Sequence, residues 1–275
     1  MKAFVAKTAL ACSLAAASLF GASAQAAVFP DFTVDPINTN QANFIADKIT
    51  GNYVEVATFN GDGTFDVSLL WTAGQFAAND GSTTLTANRT GLSATYQMYA
   101  LYKASGTVAV DGFKTTFNFT SGTGSLQMFL DTQFDTDLET GITQPGTGSG
   151  NFVIAGAGND TVIANGEALA GQGTLDPTLS TCTNGGGGQG INCGSFGSTT
   201  SFELTNAGKL FFVAPNPFFN LSFQSGQLNN FTPAGTQIIN GSLDVTFGNA
   251  VPEPGSIALL GMGLLGLGMA RRRKQ

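Results

Sequence analysis

Along Tyr53-Val54-Glu55-Val56-Ala57-Thr58-Phe59 the side chains alternate, which places Tyr53, Glu55, Ala57 and Phe59 on one side of an extended chain and Val54, Val56 and Thr58 on the other. The turn residues Asn60-Gly61-Asp62-Gly63 follow and residues 64–71 return as a second strand, so this stretch predicts a β-hairpin. The pattern recurs. Residues 96–103 and 107–110 read as strands, and residues 115–120 and 125–130 read as a hairpin around Ser121-Gly122-Thr123-Gly124. Residues 218–223 read as a strand, and residues 236–239 with 243–247 as a hairpin around Asn240-Gly241-Ser242. No helical periodicity competes with these runs, apart from room for one short helix in residues 159–171. The expected fold is all-β: an antiparallel β-sandwich, jelly-roll-like, with no fixed repeat period.

Composition sharpens this picture. Thirty-seven glycines and only 11% charged residues in 275 suit a turn-rich β protein, because helix surfaces are usually filled with Glu, Lys, Arg and Ala. The chain has no histidine, which excludes Ser-His-Asp and Cys-His catalysis and His-ligated zinc. Its net charge of −7 and pI near 4.4 argue against nucleic acid as a partner, since phosphate binding needs a basic face.

The two ends read as targeting segments. Lys2 and Lys7, the apolar residues 8–20 and the small residues Ala24-Gln25-Ala26 form a secretory signal peptide over residues 1–26, cut by signal peptidase between Ala26 and Ala27. At the other end, Val251, Pro252, Glu253 and Pro254 precede apolar residues 257–270, which run directly into Arg271, Arg272, Arg273 and Lys274. The prolines disfavour helix and keep the peptide extended, readable by a protease just outside a bilayer. The apolar stretch reads as a short transmembrane helix, with the four cations expected to anchor its far end in the cytoplasm. The plan is therefore a signal peptide (1–26), a β-sandwich body (27–250) and a sorting tail (251–275).

That tail resembles the PEP-CTERM sorting signal of Gram-negative bacteria, in which a Pro-Glu-Pro triplet, a short membrane segment and an Arg-rich end occur together. The same kind of tail is also called an ice-binding-protein C-terminal domain, a label that says nothing about ice here. The resemblance implies that an exosortase recognises Pro252-Glu253-Pro254 during transient insertion in the inner membrane. It then cuts nearby and releases the protein to an exopolysaccharide-rich surface. A permanent C-terminal anchor is the alternative. In the body, Asp47-Lys48-Ile49-Thr50-Gly51-Asn52-Tyr53-Val54-Glu55, Leu69-Leu70-Trp71, Tyr99-Ala100-Leu101-Tyr102 and the acidic stretch from Asp131 are similar to flocculation-associated PEP-CTERM proteins. That similarity implies a secreted, non-catalytic matrix protein that promotes cell aggregation, as in flocculation or biofilm, by retaining exopolysaccharide. A carbohydrate-binding module is the alternative, and a polysaccharide-acting hydrolase follows it.

Three chemical features of the body remain. With the ends removed, 5 cations and 17 acids leave it at −12, a surface that repels acidic polysaccharide unless divalent cations bridge the two. Cys182 and Cys193 flank a glycine-rich loop and are expected to form one disulfide after export. Asp131, Asp135, Asp137 and Glu139 crowd four carboxylates into nine positions, a set suited to calcium or else a solvated acidic loop. No other cofactor is expected. Gly156-Ala157-Gly158-Asn159-Asp160 reads as a plain turn, and Trp71 reads as core in preference to a sugar-stacking platform.

Overall fold

The computed structural model describes residues 29–36, 41–184 and 190–249. Eight long strands follow one another: β1 (Lys48–Phe59), β2 (Thr64–Ala78), β3 (Gln97–Asp111), β4 (Lys114–Asp131), β5 (Ala168–Leu175), β6 (Gly194–Ser201), β7 (Leu221–Leu228) and β8 (Gly235–Gly248). Each pairs antiparallel with its successor. β8 then pairs back onto β1, from Gly235 opposite Phe59 to Val245 opposite Ile49, so the eight strands form an up-and-down barrel.

The antiparallel all-β class expected from the sequence is the class the chain adopts. The expected sandwich places two separate sheets face to face; here one sheet curls until its own edges meet. Closure pairs the backbone groups that a sandwich leaves unpaired along its edges.

Alternation along the strands then sorts every second residue to the inside. β1 sends Tyr53, Glu55, Ala57 and Phe59 inward, the side that the sequence pattern grouped together. Val54 and Val56 face outward and are not wasted. With Leu70, Tyr99 and Phe129 they pack beneath Leu138, Ile142 and Phe152 of the long excursion between β4 and β5.

The first hairpin forms as expected, with Phe59 opposite Phe65 and Gly63 at φ +83° in the turn. The other two do not. Residues 236–247 lie within the single strand β8, where Gly241 pairs opposite Tyr53; its missing side chain leaves space for the Tyr53 ring. Residues 115–130 lie within the single strand β4, which pairs with β3 on both sides of a bulge, Gly106 opposite Phe119 and Ala104 opposite Gly124. The intervening residues are pushed out of the ladder without reversing the chain. Gly122 at φ +73° and Gly124 at φ +142° make that bulge possible, and a Cβ on Gly124 would strike the Lys103 carbonyl.

Residues 159–171 do not hold the short helix either. After one 3-10 turn at Ala157–Asn159, Thr161–Gly166 is a strand that continues the line of β5 along Leu126–Leu130 of β4. The β-branched Thr161, Val162 and Ile163 suit that pairing, and a waiting edge on β4 decides it.

Aromatic clusters plug both ends of the barrel. At one end Phe59, Phe65 and Phe117 meet Phe231, with the Phe59 and Phe231 rings stacked at 5.9 Å. At the other, the small sheet of Phe32–Val34, Phe44–Ala46 and Phe212–Ala214 folds over, and Phe32, Phe212, Phe218 and Phe247 pack edge to face or tilted. A disulfide joins Cys182 to Cys193 just ahead of β6.

Candidate functional site

β4 ends at Asp131, where a tight turn begins. One Asp131 carboxylate oxygen accepts the backbone N–H groups of Gln133 at 2.9 Å and Phe134 at 2.7 Å, and the other accepts that of Thr136 at 3.1 Å. This is why the strand stops here: the side chain offers the next residues a local acceptor in place of a ladder partner. Phe134, at φ +59°, carries the chain through the turn and brings Asp135 back toward the barrel wall.

A second loop meets it. Gly156, at φ +86°, lies so close to the Asp135 carbonyl that a Cβ would collide with it, and Asn159 donates to both Asp135 carboxylate oxygens at 3.0 and 3.3 Å. The next residue, Asp160, accepts the Tyr99 hydroxyl at 2.6 Å and the Thr136 hydroxyl at 2.7 Å through one oxygen. Tyr99 stands on the outer face of β3, its ring stacked on Phe129 at 4.9 Å, so the site is braced against the barrel. Burial, with the neighbouring Asp160, pushes the Tyr99 hydroxyl well above its ordinary range, so it remains a donor.

The outcome is three carboxylates, Asp131, Asp135 and Asp160, whose nearest oxygens lie within 4.8 Å of one another. Of the four acids that the sequence nominated, the structure brings Asp131 and Asp135 together. It sends Asp137 elsewhere: that carboxylate caps its own turn, accepting the backbone N–H groups of Glu139 and Thr140 and the Thr140 hydroxyl. Those bonds hold Asp137 well below the usual carboxylate range. Glu139 is exposed beside it, outside the group. Asp160 is not among the acids the sequence singles out, because its segment reads as a turn and only the pairing of Thr161–Gly166 with β4 carries it to Asp131.

Chemically the group offers only oxygen donors, the ligands hard divalent cations select. Among the described residues the ion pair is Lys48–Asp244, between β1 and β8, and no cation neutralises the three acids. Trp71 is buried in the barrel, with its indole N–H donating to the Leu243 carbonyl at 3.1 Å; it is core, not a surface platform.

The tail is the part of the chain with a recognised identity. Residues 250–274 match the family model of the PEP-CTERM protein-sorting motif. The chain carries an exosortase sorting signal. Exosortase is accordingly its processing partner, and the cell exterior or surface is its destination. Val251, Pro252, Glu253, Pro254 and the cations Arg271, Arg272, Arg273 and Lys274 lie outside the described residues, as do Ala24, Ala26 and Ala27 of the signal cleavage site. A search among curated proteins and one among solved structures find no match to this chain.

Proposed function

We propose that this PEP-CTERM protein is a non-catalytic component of the extracellular matrix that aggregates cells by linking to exopolysaccharide through calcium. The carrying observation is the Asp131, Asp135 and Asp160 cluster: three uncompensated carboxylates on a secreted body of net charge −12. Such a body repels an acidic polysaccharide, and a shared divalent cation turns that repulsion into a bridge. The resemblance of the first half of the body to flocculation-associated proteins supports the same reading. Extracellular calcium sites of this open kind bind on the order of millimolar concentrations.

The test is deletion of the coding sequence followed by a settling assay. The deletion strain is expected to settle slowly, and added protein to restore settling in calcium but not in chelator. Restoration in chelator removes calcium from the account, and normal settling of the deletion strain removes the aggregation role.

A direct carbohydrate-binding role has its own support. β5, β6, β7 and β8 carry one charge between them, Asp244, and that is paired with Lys48 at 3.1 Å. Their outer face presents Thr174, Ser195, Ser225, Gln227 and Ser242 around a shallow groove of ≈ 470 Å³. A neutral, hydroxyl- and amide-rich wall suits a neutral glycan. Retention on the organism's own polysaccharide in chelator distinguishes this from calcium bridging.

A further inference from the structure

Midway between its two aromatic plugs, the barrel encloses a chamber lined from seven of the eight strands, with Glu55, Leu69, Trp71, Tyr102, Phe119 and Gln224 among its walls. Its volume is ≈ 40 Å³, and a second chamber of ≈ 30 Å³ adjoins it, sharing Glu55, Phe119 and Phe196. Such volumes hold a few waters or the head of a small molecule.

The polar groups of this interior divide into two sets. On the β6 and β7 wall the donors are used up: Ser198 donates to Gln224 at 2.8 Å, Gln224 donates to Ser222 at 2.7 Å and Thr200 at 3.2 Å, and Thr200 and Ser222 share a bond of 2.6 Å. On the opposite side the Trp71 N–H and the Tyr53 hydroxyl are bonded to backbone carbonyls, but two groups are left over. Glu55 has no hydrogen-bond partner, and the surface it retains faces the chamber, not bulk solvent. The Tyr102 hydroxyl is buried and equally without a partner. An unpaired carboxyl in an apolar interior is costly, and proteins keep such groups where a water, an ion or a ligand completes them.

We infer that the barrel interior is a binding site for a small organic cation, an ammonium group on a few carbon atoms, seated on Glu55 and ringed by Trp71, Tyr102, Phe119 and Phe196. A cation supplies what Glu55 lacks, and aromatic faces attract an ammonium through their ring quadrupoles. The rings are held in place: Trp71 is tied to the Leu243 carbonyl at 3.1 Å and the Tyr53 hydroxyl to the Gln227 carbonyl at 3.2 Å. No Lys or Arg lines either chamber; the titratable groups facing Glu55 are Tyr53 and Tyr102. An anionic ligand therefore finds no cation to pair with.

The wall also has an opening. The ladder joining β4 to β5 and its extension is interrupted between Asn118 opposite Gln172 and Leu126 opposite Gly166. The gap lies beside the exposed bulge of β4 and is flanked by Phe119 and Leu126, both chamber-lining residues. The Phe119 ring packs against Gly171 in this gap, so it is the side chain that stands between solvent and the chamber.

Burial pushes Glu55 up to about 7. Binding an ammonium stabilises the carboxylate, so below that pH the reaction releases one proton from Glu55 to solvent, and affinity rises with pH until about 7.

Trp71 is the single tryptophan of the chain, so its fluorescence reports on the chamber. The secreted protein is titrated with ethylammonium, tetramethylammonium and neutral tert-butanol at pH 8. The expected result is a saturable change for the two cations and none for the alcohol. Glu55→Gln is expected to weaken both cations about tenfold or more, with circular dichroism unchanged. Tyr102→Phe is expected to weaken ethylammonium, which donates N–H bonds, and to spare tetramethylammonium, which has none. Ala100→Met, which fills the chamber without touching its charge, is expected to abolish binding and guards against a Glu55 variant that misfolds. No saturable change in the native protein, equal binding by Glu55→Gln, or equal binding of tert-butanol each overturns the site. None of these outcomes bears on the aggregation reading, which rests on acids outside the barrel.

Discussion

Glu55 shows how one side chain is legible in part. The alternation of residues 53–59 groups it with Tyr53, Ala57 and Phe59, and the barrel buries that side. A glutamate on the apolar side of a strand was the available signal of an unusual environment. What the sequence lacks is the closure that encloses it. The carboxyl, ordinarily near 4.5, is pushed up to about 7 by burial, so the folded chain favours its neutral form. The group is neutral in folded and unfolded chains below the lower value and charged in both above the higher. Stability from this source is thus fully present at acid pH and is lost as pH rises through about 7. We expect Glu55→Gln to remove this dependence, the native and variant curves diverging by about 3 kcal/mol between pH 5 and pH 8 in urea denaturation. Parallel curves would mean that Glu55 is solvated. Asp160 is not legible as a member of the acidic cluster, because sequence spacing separates it from Asp131 and only strand pairing joins them.

Glycine chemistry separates the true turn from glycines that lie within a continuous strand. Asn60-Gly61-Asp62-Gly63 is a genuine turn, with Gly63 at φ +83° and the backbone N–H of Asn60 donating to the Thr64 carbonyl at 2.8 Å. Asn240-Gly241-Ser242 looks equally turn-like, yet there the glycine serves the neighbouring Tyr53 ring. Local composition cannot tell a glycine needed for backbone angle from one needed for space. Two predictions follow from this distinction and from the disulfide. Gly124→Ala places a Cβ against the Lys103 carbonyl at φ +142° and should cost about 2 kcal/mol or more, whereas Gly61→Ala meets nothing within 4 Å and should be near neutral. Thermal denaturation compares the two, and equal losses would show that the bulge relaxes freely. Removing the Cys182–Cys193 link, which spans 11 positions, should cost about 2–3 kcal/mol while leaving the barrel intact by circular dichroism. Loss of the β signal would mean that the loop organises β6.

At the scale of the whole molecule, the sequence announced strands, their antiparallel order and the sorting tail, because each is written in local pattern. Barrel closure is not local: it depends on Gly235–Gly248 meeting Lys48–Phe59 across most of the chain. The same closure divides the surface into an acid-bearing half, where the excursion after β4 holds Asp131, Asp135 and Asp160, and a nearly charge-free half formed by β5 to β8. Sorting by the tail is open to test: Pro252→Ala with Pro254→Ala removes the two residues that disfavour helix, and the protein should stay uncleaved and cell-bound. Mass spectrometry of the secreted fraction checks this, and chains recovered there with residues 257–275 intact would contradict it.

The aggregation account turns on which acids hold the cation, and paired variants in a settling assay at fixed millimolar calcium decide it. Asp131 is left alone because its carboxylate caps the turn that shapes the site. Asp135→Asn with Asp160→Asn removes two charges from the cluster, while Asp137→Asn with Glu139→Gln removes two from the same loop outside it. The account predicts that the first pair abolishes calcium-dependent settling with secretion unchanged, and that the second pair leaves it intact. Equal settling by both variant strains would contradict it.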